Sequence, residues 1–216
     1  MCAVSEKIDC VLVCVCFPDK KQIHVHELKK GKESKLLYVV QTSFRPESLA
    51  NIKKDVIVLS INTPCKDCTV ASFEHFTLPG QPSTELIDGD NIADATLIRT
   101  GVNMTILVAR NTRVSCYKIQ RTNTKIKIKH EMWYYKWHTN KIFKDVRDIT
   151  TDNEGNTYVC ATGTNNIHQV SYIYFADNRI LLKEIKKPTS ILIDSKNSRI
   201  IICCDEDNNV HEYRFI

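Results

Sequence analysis

Two successive stretches of the chain, 145–186 and 187–216, carry one strand–turn–strand–turn–strand pattern, and this repetition constrains the fold more than any other feature. Val146 to Thr151 (VRDITT) reads as a short strand, and Asp152-Asn153-Glu154-Gly155-Asn156 as the turn after it. Thr157 to Thr162 (TYVCAT) is a second strand. It leads through Gly163-Thr164-Asn165 into a third, Asn166 to Tyr172, and a fourth, Arg179 to Ile185. The next unit runs Pro188 to Asp194, a turn at 195–198, Arg199 to Cys204, a turn at 205–208, and Asn209 to Phe215. Branched and aromatic residues favour the pleated backbone. Asp, Asn, Ser and Gly tolerate the tight turns between them, so the pattern predicts consecutive hairpins.

The same template parses the earlier chain. Cys2 to Glu6, Cys10 to Phe17, Gln22 to Leu28 and Lys35 to Gln41 form one unit, turning at Pro18-Asp19-Lys20-Lys21. Asp55 to Ile61 and Thr69 to Phe76 are the second and third strands of another. Ala95 to Thr100, Met104 to Arg110, Arg113 to Ile119 and Lys125 to His130 form a third. Second strands begin near Cys10, Asp55, Met104, Thr157 and Arg199, at spacings of 45, 49, 53 and 42 residues. A period of about 40–50 residues with four strands per period is that of propeller blades. No apolar spacing of three and four residues is sustained over a dozen positions, which argues against helices.

The expectation is therefore an all-β protein, a β-propeller of about five four-stranded blades in a single domain over 1–216. The blades fall near 1–45, 46–91, 92–144, 145–186 and 187–216. The last unit has three strands. Either the ring of five closes imperfectly or the chain is an incomplete part of a six-bladed ring, and an open end would expose unpaired backbone groups.

The apolar run Cys10–Phe17 is eight residues long, short of the roughly 18 needed to span a bilayer. Glu6 and Asp9 precede it where a signal peptide would be basic, so a buried strand and a cytoplasmic location are expected, with no membrane partner. Most of the ten cysteines, among them Cys14, Cys16, Cys160, Cys203 and Cys204, sit in apolar strand-like segments. In such a chain they read as reduced core thiols rather than as a disulfide framework.

Asp152, Gly155, Asn156, Tyr158 and Val159 stand where an NHL repeat places its apolar strand, Gly-Asn turn and "vyV" strand. The segment from Asp145 to Ile216 resembles NHL repeats on these residues. The likeness is to the C-terminal NHL domains of TRIM-like proteins, of the expanded invertebrate kind. It implies a propeller that selects protein partners, in a setting linked to ubiquitination. Six glycines in 216 residues are sparse for such repeats, and the region from Ser48 to Phe76 scarcely matches. The zinc-ligand series and heptads of RING, B-box and coiled-coil segments are missing from the sequence, so the resemblance implies a recognition module alone.

Other features of the chain bear on chemistry. Cys65-Lys66-Asp67-Cys68 has the spacing of half a zinc knuckle, yet only His75 follows nearby; a connection between two strands accounts for it. His24 and His26 alternate on one strand and point the same way, as outer-strand polar residues also do. Asp94, Asp148 and Asp194 fall near or within first strands, where they could converge on a metal or, more commonly, cap turns. No Gly-rich phosphate loop or nucleophile elbow appears. The expectation is a non-enzyme with no cofactor, no metal and no small-molecule substrate.

The formal net charge is +5, and its distribution is informative. Residues 113–144 hold nine basic side chains against Glu131 alone, so the remainder of the chain is net acidic. Arg113, Lys118, Arg121, Lys125, Lys127, Lys129 and Lys141 are interleaved there with Trp133, Tyr135 and Trp137. Cations attract phosphates and aromatics stack on unpaired bases, so these ten residues are the candidate site for a partner or for single-stranded RNA. Lys125, Lys127 and Lys129 also alternate with Ile126 and Ile128, as a solvated edge strand would. The leading expectation is a protein-binding propeller, with RNA binding as the alternative and an axial-metal hydrolase third.

Overall fold

A computed structural model describes residues 2–7, 10–52, 55–65, 68–78, 84–87, 92–93, 95–110, 113–122, 126–135, 144–171, 178–206 and 209–214. Its elements are strands and three single-turn 3-10 segments, in five antiparallel sheets. The first sheet orders β1 (Cys2–Lys7), β2 (Cys10–Phe17), β3 (Gln22–Lys29) and β4 (Lys35–Gln41) in sequence. The second orders β5 (Arg45–Ile52), β6 (Asp55–Cys65), β7 (Cys68–Thr77) and β8 (Glu85–Leu86), with β9 (Ile92–Ala93) also pairing β7. The third is β10 (Ala95–Thr100), β11 (Thr105–Arg110), β12 (Arg113–Arg121) and β13 (Ile126–Tyr135). The fourth is β14 (Val146–Thr151), β15 (Thr157–Ala161), β16 (Asn166–Val170) and β17 (Asn178–Leu182). The fifth has three strands among the described residues: β18 (Pro188–Asp194), β19 (Arg199–Cys204) and β20 (Val210–Arg214).

The strands expected at Cys10–Phe17, Lys35–Gln41, Ala95–Thr100, Val146–Thr151, Pro188–Asp194 and Arg199–Cys204 have these same bounds, and the others differ by a few residues at their ends. The sequence reading missed β5. Its polar composition, RPESLANI, hides a strand whose Leu49, Ala50 and Ile52 are buried. Pro46 is admissible there because the pairing of β5 with β6 shifts register between Pro46 and Ser48. The two-residue strands β8 and β9 lacked any apolar pattern long enough to read.

The chain divides into two compact units, Met1–Arg99 with Lys118–His130, and Thr100–Tyr117 with Glu131–Ile216. In the first, Cys14, Ile23, Val25, Val40, Leu49, Val56, Val58 and Phe76 form one buried cluster. In the second, Tyr158, Cys160, Ile167, Ile191, Ile200 and Ile202 form another. Second strands carry unbroken apolar runs because both of their faces are covered. Val56 to Leu59, Ile106 to Ala109 and Tyr158 to Ala161 are buried at every residue. Cys10, Cys14, Cys16, Cys116, Cys160, Cys203 and Cys204 are free thiols, and Cys14, Cys116, Cys160 and Cys204 are buried. Burial pushes the Cys160 thiol up, beyond any tendency to ionise, as a packing role requires.

A repeated irregularity links sheets within each unit. Four first strands shift register one or two residues from their start, between Ala3 and Ser5, Pro46 and Ser48, Val146 and Asp148, and Pro188 and Ser190. A bulge re-aims the side chain that follows it. Ser48 Oγ accepts from Ile98 N and donates to Ile98 O, both at 3.1 Å, joining β5 to β10. Asp148 Oδ2 accepts from Ile191 N at 3.1 Å and Ser190 Oγ at 2.9 Å, joining β14 to β18, while Oδ1 accepts from Ile149 N. The two staples occupy equivalent positions of the repeat. A second buried carboxylate, Glu74, accepts from Ser43 N, Phe44 N and Thr84 Oγ1 and so ties the 42–44 link to β7.

Turns repeat as well. Lys21 and Asn165 both end 3-10 turns in the left-handed region, and their carbonyls accept from Thr42 N and Ile185 N, each at 2.9 Å. Gly163 has a steric reason: a Cβ there would lie 2.6 Å from Lys144 Cβ and 2.8 Å from its carbonyl oxygen.

Asp148→Ala strips the partner from the buried Ile191 amide. Leaving such a donor unsatisfied costs about 1–3 kcal/mol, and urea unfolding should place the variant in that range. The exposed Lys30→Ala control should stay within about 0.5 kcal/mol of wild type.

Candidate functional site

The ten residues of the basic, aromatic stretch do not have one environment. Lys127 and Lys129 stand on one side of β13, with Ile126 and Ile128 buried on the other, the alternation expected of a covered strand with a wet face. Arg121 is spoken for: its guanidinium pairs with the buried carboxylate of Asp55, which also accepts from Thr77 Oγ1 at 2.7 Å. Arg113 and Lys118 are half-buried on opposite faces of β12, and the interleaved Tyr117 is buried, its hydroxyl accepting from Arg110. Trp133 and Tyr135 lie within β13. Lys125, Trp137 and Lys141 lie outside the described residues. Lys118, Arg121, Lys127 and Lys129 fall in the first compact unit, and Arg113, Trp133 and Tyr135 in the second.

The other candidates resolve into local roles. Asp148 is the staple described above. Asp194 caps the turn after β18, accepting from Asn197 N at 3.2 Å and Asn197 Nδ2 at 2.7 Å, and it pairs with Arg199 at 2.6 Å. The Asn197 amide and the Arg199 guanidinium hold its carboxyl below the usual range. Asp94 lies outside the described residues. His24 packs against Phe17 with tilted rings whose centroids are 4.1 Å apart, and stacks on His26 at 6.2 Å. Burial, then His26 and Lys20, lower its basicity. Cys65 and Cys68 pair directly as the end of β6 and the start of β7, and Lys66 and Asp67 between them lie outside the described residues. Among the described residues no three His, Cys, Asp or Glu side chains gather as a metal would require.

The site that sequence reasoning missed lies around the 152–156 turn. Asp152 Oδ1 accepts from Glu154 N and Asn156 N, both at 2.9 Å. Its Oδ2 accepts from Asn156 Nδ2 at 2.8 Å and from the Tyr158 hydroxyl at 3.0 Å. Gly155 holds φ at 89°, a left-handed turn position. Tyr158, Gln169 and Arg179 face one another across β15, β16 and β17. Gln169 Nε2 donates to the Tyr158 hydroxyl at 3.1 Å, and Arg179 Nε donates to Gln169 Oε1 at 2.8 Å. Burial, then the Asp152 charge, push the Tyr158 phenol far up, so it stays protonated. These side chains line a depression of about 390 Å³ with Asn153, Glu154, Ile193, Ser195 and Ser198. The turn residues were legible as a motif, but nothing local in the sequence marked Gln169 or Arg179.

No protein-family profile matches the sequence, and no curated protein matches it. Solved structures do. A functionally unknown protein from Desulfotomaculum acetoxidans superposes over 99% of this chain with a TM-score of 0.64 at 15% identity. This chain spans only 64% of that protein's length. The nidogen/laminin complex superposes over 94% of this chain and 73% of its own, at a TM-score of 0.64 and 16% identity. Hydrazine synthase of Kuenenia stuttgartiensis superposes over 98% and 70%, at 0.69 and 12%. Likeness at such identities is one of fold, and the fold is propeller-like: all-β, in small antiparallel sheets. No helix among the described residues is long and apolar enough to cross a membrane.

His168 is fully buried on β16, and desolvation holds its imidazole at about 4, against 6.5 when unfolded. Between those values the unfolded chain binds the extra proton. The stability this histidine contributes is therefore complete above pH 6.5 and is lost as pH falls through 4. The shift corresponds to about 3 kcal/mol. Unfolding midpoints measured from pH 7 to pH 4 should fall steeply in wild type and less so in His168→Phe.

Proposed function

We propose that this chain is a non-catalytic recognition module of propeller type that binds a protein partner in the cytoplasm. Its setting would be that of TRIM-like NHL domains, which choose substrates for ubiquitination. The observation that carries the reading is the shared fold with the nidogen/laminin structure, itself a complex between proteins, over 94% of this chain. Residue roles support it. Asp148 and Asp194, two of the three acids the sequence offered for a catalytic metal, are engaged by backbone amides, a serine and an arginine. Of the NHL-like residues, Asn156 in the turn and Tyr158 on β15 both bond to Asp152, which favours the kinship with that repeat.

Single-stranded RNA is the second reading, favoured by Lys127 and Lys129 on one side of β13. One experiment separates the two. Anisotropy with a pool of short RNAs at about 50 and about 200 mM salt spans the range where phosphate-driven affinity changes most. Protein recognition predicts weak, unselective RNA binding that vanishes at the higher salt, and retention of a stoichiometric protein from nuclease-treated extract of the source cells. Sequence-selective RNA binding that survives the higher salt, and is abolished by Lys125→Glu/Lys127→Glu/Lys129→Glu, would replace the protein reading.

A further inference from the structure

Arg179 is positioned by a relay in which the direction of every hydrogen bond is determined. The Asp152 carboxylate is an acceptor only, so the Tyr158 proton points to it. With that proton committed, the phenol oxygen accepts from Gln169 Nε2. The amide so oriented presents Oε1 to the Nε–H of Arg179. The guanidinium is thereby held through Nε. Its two terminal amino groups have no hydrogen bond or ion pair among the described residues, and Arg179 is exposed along the depression.

That depression has the charge and size for a particular group. Among the described residues Arg179 is the one cation that lines it, and Asp152 has both oxygens saturated by four donors. Glu154 is the remaining acid, with the Ser195 and Ser198 hydroxyls and the apolar Ile193 completing the wall. A guanidinium presenting two parallel N–H groups matches a carboxylate bidentately. A phosphate dianion would meet Glu154 with a second negative charge and no second cation. About 390 Å³ is within the range of small-ligand pockets, enough for one acidic side chain and its backbone.

We propose that this depression binds a carboxylate side chain of a partner polypeptide, gripped end-on by Arg179. The assignment rests on the protein-recognition reading and names the chemistry of the partner. Arg179 is the contact; Tyr158 and Gln169 are positioning residues.

A display library of random dodecapeptides, selected on the wild-type 216-residue chain, tests this. Selected peptides should be rich in Asp or Glu. Changing the acid in a selected peptide to its amide should weaken binding at least tenfold, as should Arg179→Gln, and the two changes together should add little. Arg179→Lys keeps the charge but not the fork and should recover only part of the affinity. Gln169→Leu, which leaves Arg179 in place but unheld, should weaken binding several-fold, with circular dichroism unchanged. Peptides without acids, or binding indifferent to Arg179→Gln, would overturn the pocket while leaving protein recognition standing. Absence of any selected peptide would also overturn it, and the RNA titration would then show whether the recognition reading falls as well.

Discussion

One side-chain oxygen meeting one backbone amide of the next sheet is the interaction on which the arrangement most depends. Small antiparallel sheets satisfy their ladders internally, so the packing of one against another is left to apolar side chains, which are non-directional. Ser48 to Ile98 and Asp148 to Ile191 add direction. Both are buried, and a buried donor left without a partner costs more than a satisfied one returns. The staple therefore penalises any slippage between first strands. The bulge near the start of those strands is what turns the oxygen toward its neighbour, so backbone irregularity and side-chain chemistry act as one device.

The repeat has spent its acids differently at equivalent places. Asp152, just after β14, and Asp194, the last residue of β18, both accept from the turn that follows. Asp194 then recruits Arg199 and, through it, Glu212, which also pairs with Arg214. Asp152 recruits Tyr158 instead, whose hydroxyl passes the interaction along the sheet to Gln169 and Arg179. A neutral link transmits orientation without neutralising the charge at its end. That difference separates a structural ion pair from an arginine available to a ligand.

The basic stretch shows why charge pattern alone is a weak guide to a site. Nine cations in 113–144 read as one patch, yet Arg121 is bound to Asp55, 66 residues away in sequence, and Tyr117 is in the core. Lys127 and Lys129 occupy the wet side of a covered strand, where both an edge and a binding face would place them. Arg179 belongs to no run of charges and no motif, and stood out in nothing but its cross-strand partners.

Strands, turns and their order were legible because they are written in local terms. Period-two apolar patterns, turn residues and a repeat of about 45 residues each depend on neighbours in the chain. β5 escaped because a proline and four polar residues obscure that period, and only its register with β6 shows the bulge that accommodates them. By itself the sequence determined an all-β chain of repeated hairpins and the roles of Asp152, Gly155 and Asn156 within one turn. Tertiary structure alone decided that Ser48 and Asp148 reach the amides of another sheet, that Arg121 is paired, and that Arg179 is held with its terminal groups open. Those outcomes follow from which residues stand opposite after strands from distant positions pair, and pairing across a sheet leaves no trace in the spacing of residues along the chain.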